Sequence, residues 1–296
     1  MRRDTSIDRP SRSDGTATIV LGAVIAGLAS LTYEIIGARS LGTDGFAPVS
    51  SLLTLHFLAF VVILIPLEQV IIRRLTQDPD RPGVPVGALS LVLGTAGVAG
   101  FAGWALDGSL FDDDAWYAML AAATILTHGL FIVGRGYLAG RHSYHRYGIA
   151  SAAASLGRLA VAVVIILLVV DGRWFGLALV LGPLVIIALR PFGRAREAHV
   201  VDTAAVEGRL LSGMMLASAT AQTLLLAGPV VAALLGADAA TISILFATFT
   251  LMRAPLSLGN NVIARLVPPL TDLAEGDQLS RLTSIARKVA AATVAI

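Results

Sequence analysis

The chain has 296 residues, 56% of them hydrophobic and 14% charged, with a formal net charge of +2. A soluble domain carries about 25% charged residues, so this composition belongs to the membrane class. Cysteine is absent, which excludes disulfides, thiol nucleophiles and cysteine metal sites.

About 20 apolar helical residues cross a bilayer core of about 30 Å. Runs of that kind fall at roughly 16–37, 48–72, 84–106, 115–137, 148–170, 173–190, 209–234 and 240–267, and a ninth opens near 283. Each is expected to be helical, because lipid offers no partner to an unpaired backbone group. Even the β-branched run VAVVIILLVV (161–170) is read as helix for that reason. The polar segment 1–15 is expected to be disordered and cytoplasmic. No small-residue cleavage site follows it, so the first run reads as a retained span rather than a removed signal peptide.

Basic residues alternate from loop to loop. The segments before the first run and after the second, fourth, sixth and eighth hold eighteen Arg and Lys, from Arg2 to Lys288, with Arg73, Arg135 and Arg146 among them. The opposite side holds Arg39 and Arg173, together with Asp44, Asp107, Asp112, Asp113, Asp114, Asp171 and Asp238. This asymmetry puts the N-terminus in the cytoplasm and the chain in the cytoplasmic membrane as a multi-pass protein. The pI near 9.3 then reflects loops facing anionic lipid, and no nucleic-acid partner is expected.

A short phrase recurs. LGTD (41–44) matches LGAD (235–238), and VIIRRL (70–75) resembles VIARLV (262–267). Leu41 lies 29 residues before Val70, and Leu235 lies 27 before Val262. Six runs separate the copies, and an even number preserves orientation. The repeat therefore predicts two parallel six-helix halves related by an axis along the membrane normal. Chance similarity between two apolar hairpins is the alternative. Residues 16–190 form the complete first lobe in this reading, 191–208 a cytoplasmic linker, and 209–296 a partial second lobe. A full second half would reach a twelfth span. The chain stops in the ninth, so a fragment or a truncated or divergent gene product is expected, with a complete nine-span protein as the alternative.

ARSLGTDGF (38–46), about 25 apolar residues and then VIIRRL resembles the opening hairpin of polysaccharide and lipid-linked oligosaccharide flippases. These belong to the multidrug/oligosaccharidyl-lipid/polysaccharide exporter superfamily. The second-half stretch, from LLGAD to VIARLVPPLTDLAEGD (262–277), is similar to theirs as well. The resemblance implies an all-α, polytopic, MATE-like two-lobed bundle of about nine spans here. It implies alternating-access flipping of an isoprenoid-pyrophosphate-linked oligosaccharide or polysaccharide precursor. The expected partners are that lipid-linked glycan, membrane lipids and glycan polymerase or synthase proteins, and no cofactor is needed.

Polar groups inside the spans are the site candidates, since a charge at the bilayer centre costs about 2.5–3.5 kcal/mol on the insertion scale. Glu34, Glu68, Arg158 and Arg253 qualify. Thr250, Arg253, Ser257 and Asn260 share one helical face beside Pro255, which suits a kinked, cavity-lining helix. Arg253 and Arg158 are candidates for binding pyrophosphate, with an ion pair to Glu34 or Glu68 as the structural alternative. At Arg158, the adjacent Gly157 and small residues suggest tight helix packing. Ser257, Asn260 and His128 are candidate substrate contacts, and His56 is of similar standing. Glu34 and Glu68 are ion-coupling candidates. The structural alternative is a buried ion pair for Glu34, and pairing toward Arg73 for Glu68.

No GxxxxGK[ST], GxSxG or HExxH occurs, and no His or carboxylate pair has metal-ligand spacing. Neither an enzyme nor a metal site is expected. Two other functions stay open: a drug or organic-cation antiporter of the same superfamily, and a non-transporting scaffold of a glycan-assembly complex.

Overall fold

The computed structural model describes residues 14–77, 86–192, 204–226, 228–238 and 240–249, and every regular element among them is a helix. Helix α1 runs Asp14–Ala59, a π turn covers Phe60–Leu64, and α2 runs Ile65–Gln77. Then come α3 (Val86–Ala105), α4 (Asp107–Leu110), α5 (Ala115–Gly140), α6 (Tyr144–Leu168) and α7 (Gly172–Leu181). A 3-10 turn (Gly182–Leu184) leads to α8 (Val185–Ala188), followed by α9 (Ala204–Leu226) and α10 (Gly228–Leu234). Helix α11 covers Ala240–Phe249.

Four stretches are long and apolar enough to cross a membrane: Ala17–Gln77, Val86–Ala105, Ala115–Gly140 and Tyr144–Leu168. The first has 61 residues. It would be about 90 Å long as one straight helix, three times a bilayer core. Gly42 divides it, with φ 72° and ψ 177°, in the middle of the LGTD phrase. The rest of the 38–46 phrase is helical, so the hinge is one residue wide rather than a loop.

Three expectations need amendment. The run 173–190 is not one helix: Pro183 has no N–H to extend α7, and the chain passes through the 3-10 turn before α8. The run 209–234 is divided between α9 and α10. Helix α9 begins at Ala204, within the segment expected as a linker. The segment 1–15 lies outside the described residues except for Asp14 and Gly15, which open α1. The final run near 283 also lies outside them.

Helix α6 packs along the first half of α1, and α5 is held between α2 and α3. A Cβ on Gly22 would fall 2.8 Å from the Gly148 carbonyl carbon, so the backbones of α1 and α6 meet there. Small residues permit such an approach between apolar helices. Gly157, by contrast, faces open space, so the tight contact lies two and a half turns from where the sequence suggests it.

Polarity is inverted relative to a water-soluble protein. Leu28, Leu93, Phe101, Leu167 and Leu168 point outward and are exposed, while Glu34, His56, Glu68, Gln69, His128, Arg135 and Arg158 are buried. The described helices thus present an oily exterior around an apolar core that encloses a few polar and charged groups. The tryptophans Trp104, Trp116 and Trp174 sit at the aspartate-rich ends of α3, α5 and α7. Trp116 and Trp174 lie 6.1 Å apart there, and Trp116 Nε1 donates to the Arg173 carbonyl. Amphipathic rings at helix ends suit a membrane–water boundary.

Candidate functional site

Two polar clusters occupy the interior. The first joins α2, α5 and α6. Arg135 Nε donates to Glu68 Oε1 at 3.0 Å and Arg135 Nη2 to Glu68 Oε2 at 3.3 Å, a two-pronged ion pair. Nη2 also donates to the Tyr147 hydroxyl, and the guanidinium lies 4.4 Å from the centre of the Tyr147 ring. The structural alternative for Glu68 therefore holds with a different partner: Arg135 rather than Arg73. Arg135 reads in sequence as a loop-flanking arginine, yet it is 7% exposed and inside the bundle. Among the described residues it is a fourth buried charge beside Glu34, Glu68 and Arg158, which the spacing from the end of α5 does not announce.

The second cluster lies deeper. Arg158 Nη2 donates to Ser30 Oγ at 2.5 Å, and its guanidinium stacks 4.8 Å from the Tyr33 ring centre. Tyr33 in turn donates to the Phe175 carbonyl at 3.2 Å. Glu34 is buried one residue along α1. Between α1 and α5, the His56 and His128 rings lie 3.9 Å apart, tilted by 49°. His128 Nδ1 lies 2.9 Å from the Thr124 carbonyl, so that nitrogen carries the proton. His56 Nδ1, Thr124 Oγ1 and Arg158 Nε are buried without a hydrogen-bond partner, as are both amide atoms of Gln69.

The π turn explains why His56 and Glu68 both face α5. Twelve α-helical residues would leave them about 120° apart, and the extra residue in the π turn recovers about 100° of that. Their partners, His128 and Arg135, are seven residues apart on α5 and about 20° from one face. Pro66 follows the turn and cannot donate to residue 62, while Ile65 N–H reaches back to the Phe60 carbonyl. An unbroken 3.6-residue period misses this pairing.

At the aspartate-rich end the two hinge phrases approach each other. The Ser243 hydroxyl donates to the Thr43 carbonyl at 3.1 Å, and Phe46 meets Phe246 edge-on at 6.2 Å. A cavity of about 270 Å³ lies between them, lined by Pro48, Ser51, Ser109, Asp112, Gly236 and Ile242 among others. Gly236 closes α10: its N–H reaches the Ala233 carbonyl and Ala237 N–H reaches the Ala232 carbonyl. Asp238 then caps α11 by accepting from Thr241 N–H at 2.6 Å, which holds its carboxyl below the usual carboxylate range. Across the neighbouring loops, Arg173 Nε binds Asp114 Oδ2 at 2.6 Å.

Of the candidates from sequence, Arg158 lies beside Ser30 and Tyr33, His128 meets His56, Glu34 is buried next to Tyr33 in the chain, and Glu68 is locked against Arg135. Arg253, Ser257 and Asn260 lie outside the described residues. Among the described residues no group of three or more His or carboxylate side chains is placed to hold a metal ion.

The fold and the interior define an all-helical protein with four helices long and apolar enough to cross a membrane, enclosing buried charge. Compared with family models, curated proteins and solved structures, the chain matches none.

Proposed function

We propose that the chain is a transporter of the multidrug/oligosaccharidyl-lipid/polysaccharide exporter superfamily. It flips an isoprenoid-pyrophosphate-linked oligosaccharide or polysaccharide precursor across the cytoplasmic membrane by alternating access. The inverted polarity of the bundle carries this reading: Arg158, His56, His128 and Thr124 are closed in at mid-length behind an apolar exterior. Ionisable groups in such a position are expensive to keep and mark a substrate or ion path.

The two hinges support a pair of parallel lobes, 16–190 and 209–296. Arg158 and Arg253 neutralise the pyrophosphate, Arg158 once the bundle opens, and Ser257, Asn260 and His128 contact sugar. Glu34 and Glu68 are the ion-coupling carboxylates. Glu68 must first release Arg135. The basic loops and the N-terminus face the cytoplasm, and a glycan polymerase or synthase works beside the transporter. No catalytic step is assigned to the chain.

A cation exporter needs an excess of buried negative charge. The described interior holds two carboxylates against two arginines, with two histidines besides, which favours an anionic substrate. The test is complementation of a flippase-deficient strain. Arg253→Ala is expected to abolish complementation while membrane insertion stays intact. Growth restored equally well by the variant removes the substrate role of Arg253. A drug-efflux phenotype lost in Glu34→Gln would instead identify the cation exporter.

A further inference from the structure

We propose that the cavity between the two hinge phrases binds a primary ammonium group, with Asp112 as its counter-ion. The cavity holds about 270 Å³ and is lined by Ser51 from α1, Ser109 and Leu110 from α4, Asp112 from the loop after it, and Ile242 from α11. Asp112 is exposed, whereas Ser51 is 1% exposed, so the cavity runs from a charged mouth to a buried hydroxyl.

Both ends of the cavity have polar groups to spare. The neighbouring Ser50 and Thr54 hydroxyls donate to helix carbonyls, at Ala47 and Ser50. The Ser51 hydroxyl makes no hydrogen bond among the described residues, and the Asp112 carboxylate makes neither a hydrogen bond nor an ion pair there. The nearby cation Arg173 is committed to Asp114. A buried hydroxyl left without a partner costs free energy, which a guest that bonds to it recovers.

The lining selects the guest. None of the described lining residues is basic, and the same end of the bundle carries Asp107, Asp113, Asp114 and Asp171, so its field attracts a cation. A primary ammonium has three N–H donors, for which the carboxylate and the Ser51 and Ser109 hydroxyls are acceptors. A quaternary ammonium has no N–H and leaves both hydroxyls unmet. A calcium ion takes about six to eight oxygen ligands, and no group of three His or carboxylate side chains among the described residues is placed to hold a metal. Pro48, Leu110 and Ile242 offer apolar wall to the carbon atoms next to the nitrogen. Trp104, Trp116 and Trp174 put this end at the membrane–water boundary, where lipid headgroups lie. The ammonium therefore comes either from an ethanolamine headgroup or from a small free amine. The inference concerns the aspartate-rich end and does not rest on transport.

The experiment uses the full chain in phosphatidylcholine nanodiscs, with its unfolding temperature followed as ethanolamine replaces choline at constant ionic strength. A saturable rise with ethanolamine is expected. Asp112→Asn removes the charge and keeps a residue that tolerates the φ of 55° found there, so it is expected to raise the half-saturating concentration about tenfold. Ser51→Ala is expected to raise it about threefold. Asp113→Asn is the control, because Asp113 is not among the lining residues. Native mass spectrometry of the chain extracted from mixed phosphatidylethanolamine and phosphatidylcholine separates the two sources. An ethanolamine lipid retained by the unaltered chain and lost from Asp112→Asn marks a headgroup site, and a response to the free amine with no retained lipid marks an amine site. Equal unfolding temperatures in ethanolamine and choline, together with no retained ethanolamine lipid, overturn the proposal. Binding that Asp112→Asn leaves unchanged overturns it as well. Since no transport substrate is present, either result leaves the transport reading to complementation.

Discussion

Gly42 and Gly236 both have positive φ, 72° and 81°, at the same place in LGTD and LGAD. They are the two glycines with positive φ among the described residues. A side chain in this conformation costs about 1–2 kcal/mol. The repeated glycine therefore has a backbone reason in both copies, independent of any side-chain contact.

Gly42→Ala and Gly236→Ala are each expected to lose about 1–2 kcal/mol. Gly27 lies in regular helix with open space where a Cβ would go, so Gly27→Ala should be neutral or stabilising by up to about 1 kcal/mol. Unfolding temperatures in detergent compare the three. Full stability of Gly42→Ala would show that the break at residue 42 does not need glycine.

Glu68→Gln leaves Arg135 buried opposite an uncharged group. Removing one member of a buried pair costs about 3–5 kcal/mol, whereas replacing both with apolar residues is often neutral. The single variant should be poorly stable, and Glu68→Met combined with Arg135→Met should recover much of the loss. A double-mutant cycle on unfolding measures the coupling. A Glu68→Gln protein that folds normally but no longer supports complementation would favour ion coupling at Glu68 over a structural pair.

Gly148→Val places a branched side chain against the α1 backbone at Thr18, while Gly157→Val projects into open space. The first is expected to separate α1 from α6 and abolish monodisperse purification. The second should leave it unchanged. Size-exclusion profiles of the two variants decide the matter, and an equal outcome would place the α1–α6 crossing elsewhere.

Asp238 gives the hinge a pH dependence. Its carboxyl is held below the ordinary range by accepting from Thr241 N–H, so its stabilising effect is complete above about pH 4, the unfolded value. The effect is lost as pH falls through the lower folded value. Protection from hydrogen exchange across 240–249, taken relative to the intrinsic rate at each pH, should fall on acidification to about pH 3, and less so in Asp238→Asn, which still caps but does not titrate. An equal fall in both proteins would assign the effect to another group.

Much of the frame is readable from residue order alone. Long apolar runs specify the helices, LGTD contains the glycine that divides α1, and Glu34, Glu68, His128 and Arg158 fall inside apolar stretches and are buried. The pairing of these groups is less readable. Arg135 resembles a loop-flanking charge because it lies five residues from the end of α5, and its partner is 67 residues away. His56 meets His128 only because helix register across α5 is set by packing, which no local pattern encodes. The π turn defeats face-counting outright, since one inserted residue rotates everything after it.

That turn also sets which way Phe60 points, because it holds one surplus residue between His56 and Glu68. Sliding it toward Glu68 twists the intervening stretch, Phe60 included, by roughly a quarter revolution about the helix axis. Phe60 now lies 5.6 Å from His56 and 6.3 Å from His128, so such a slip would swing an aromatic shutter across the imidazole pair without shifting either end of the span.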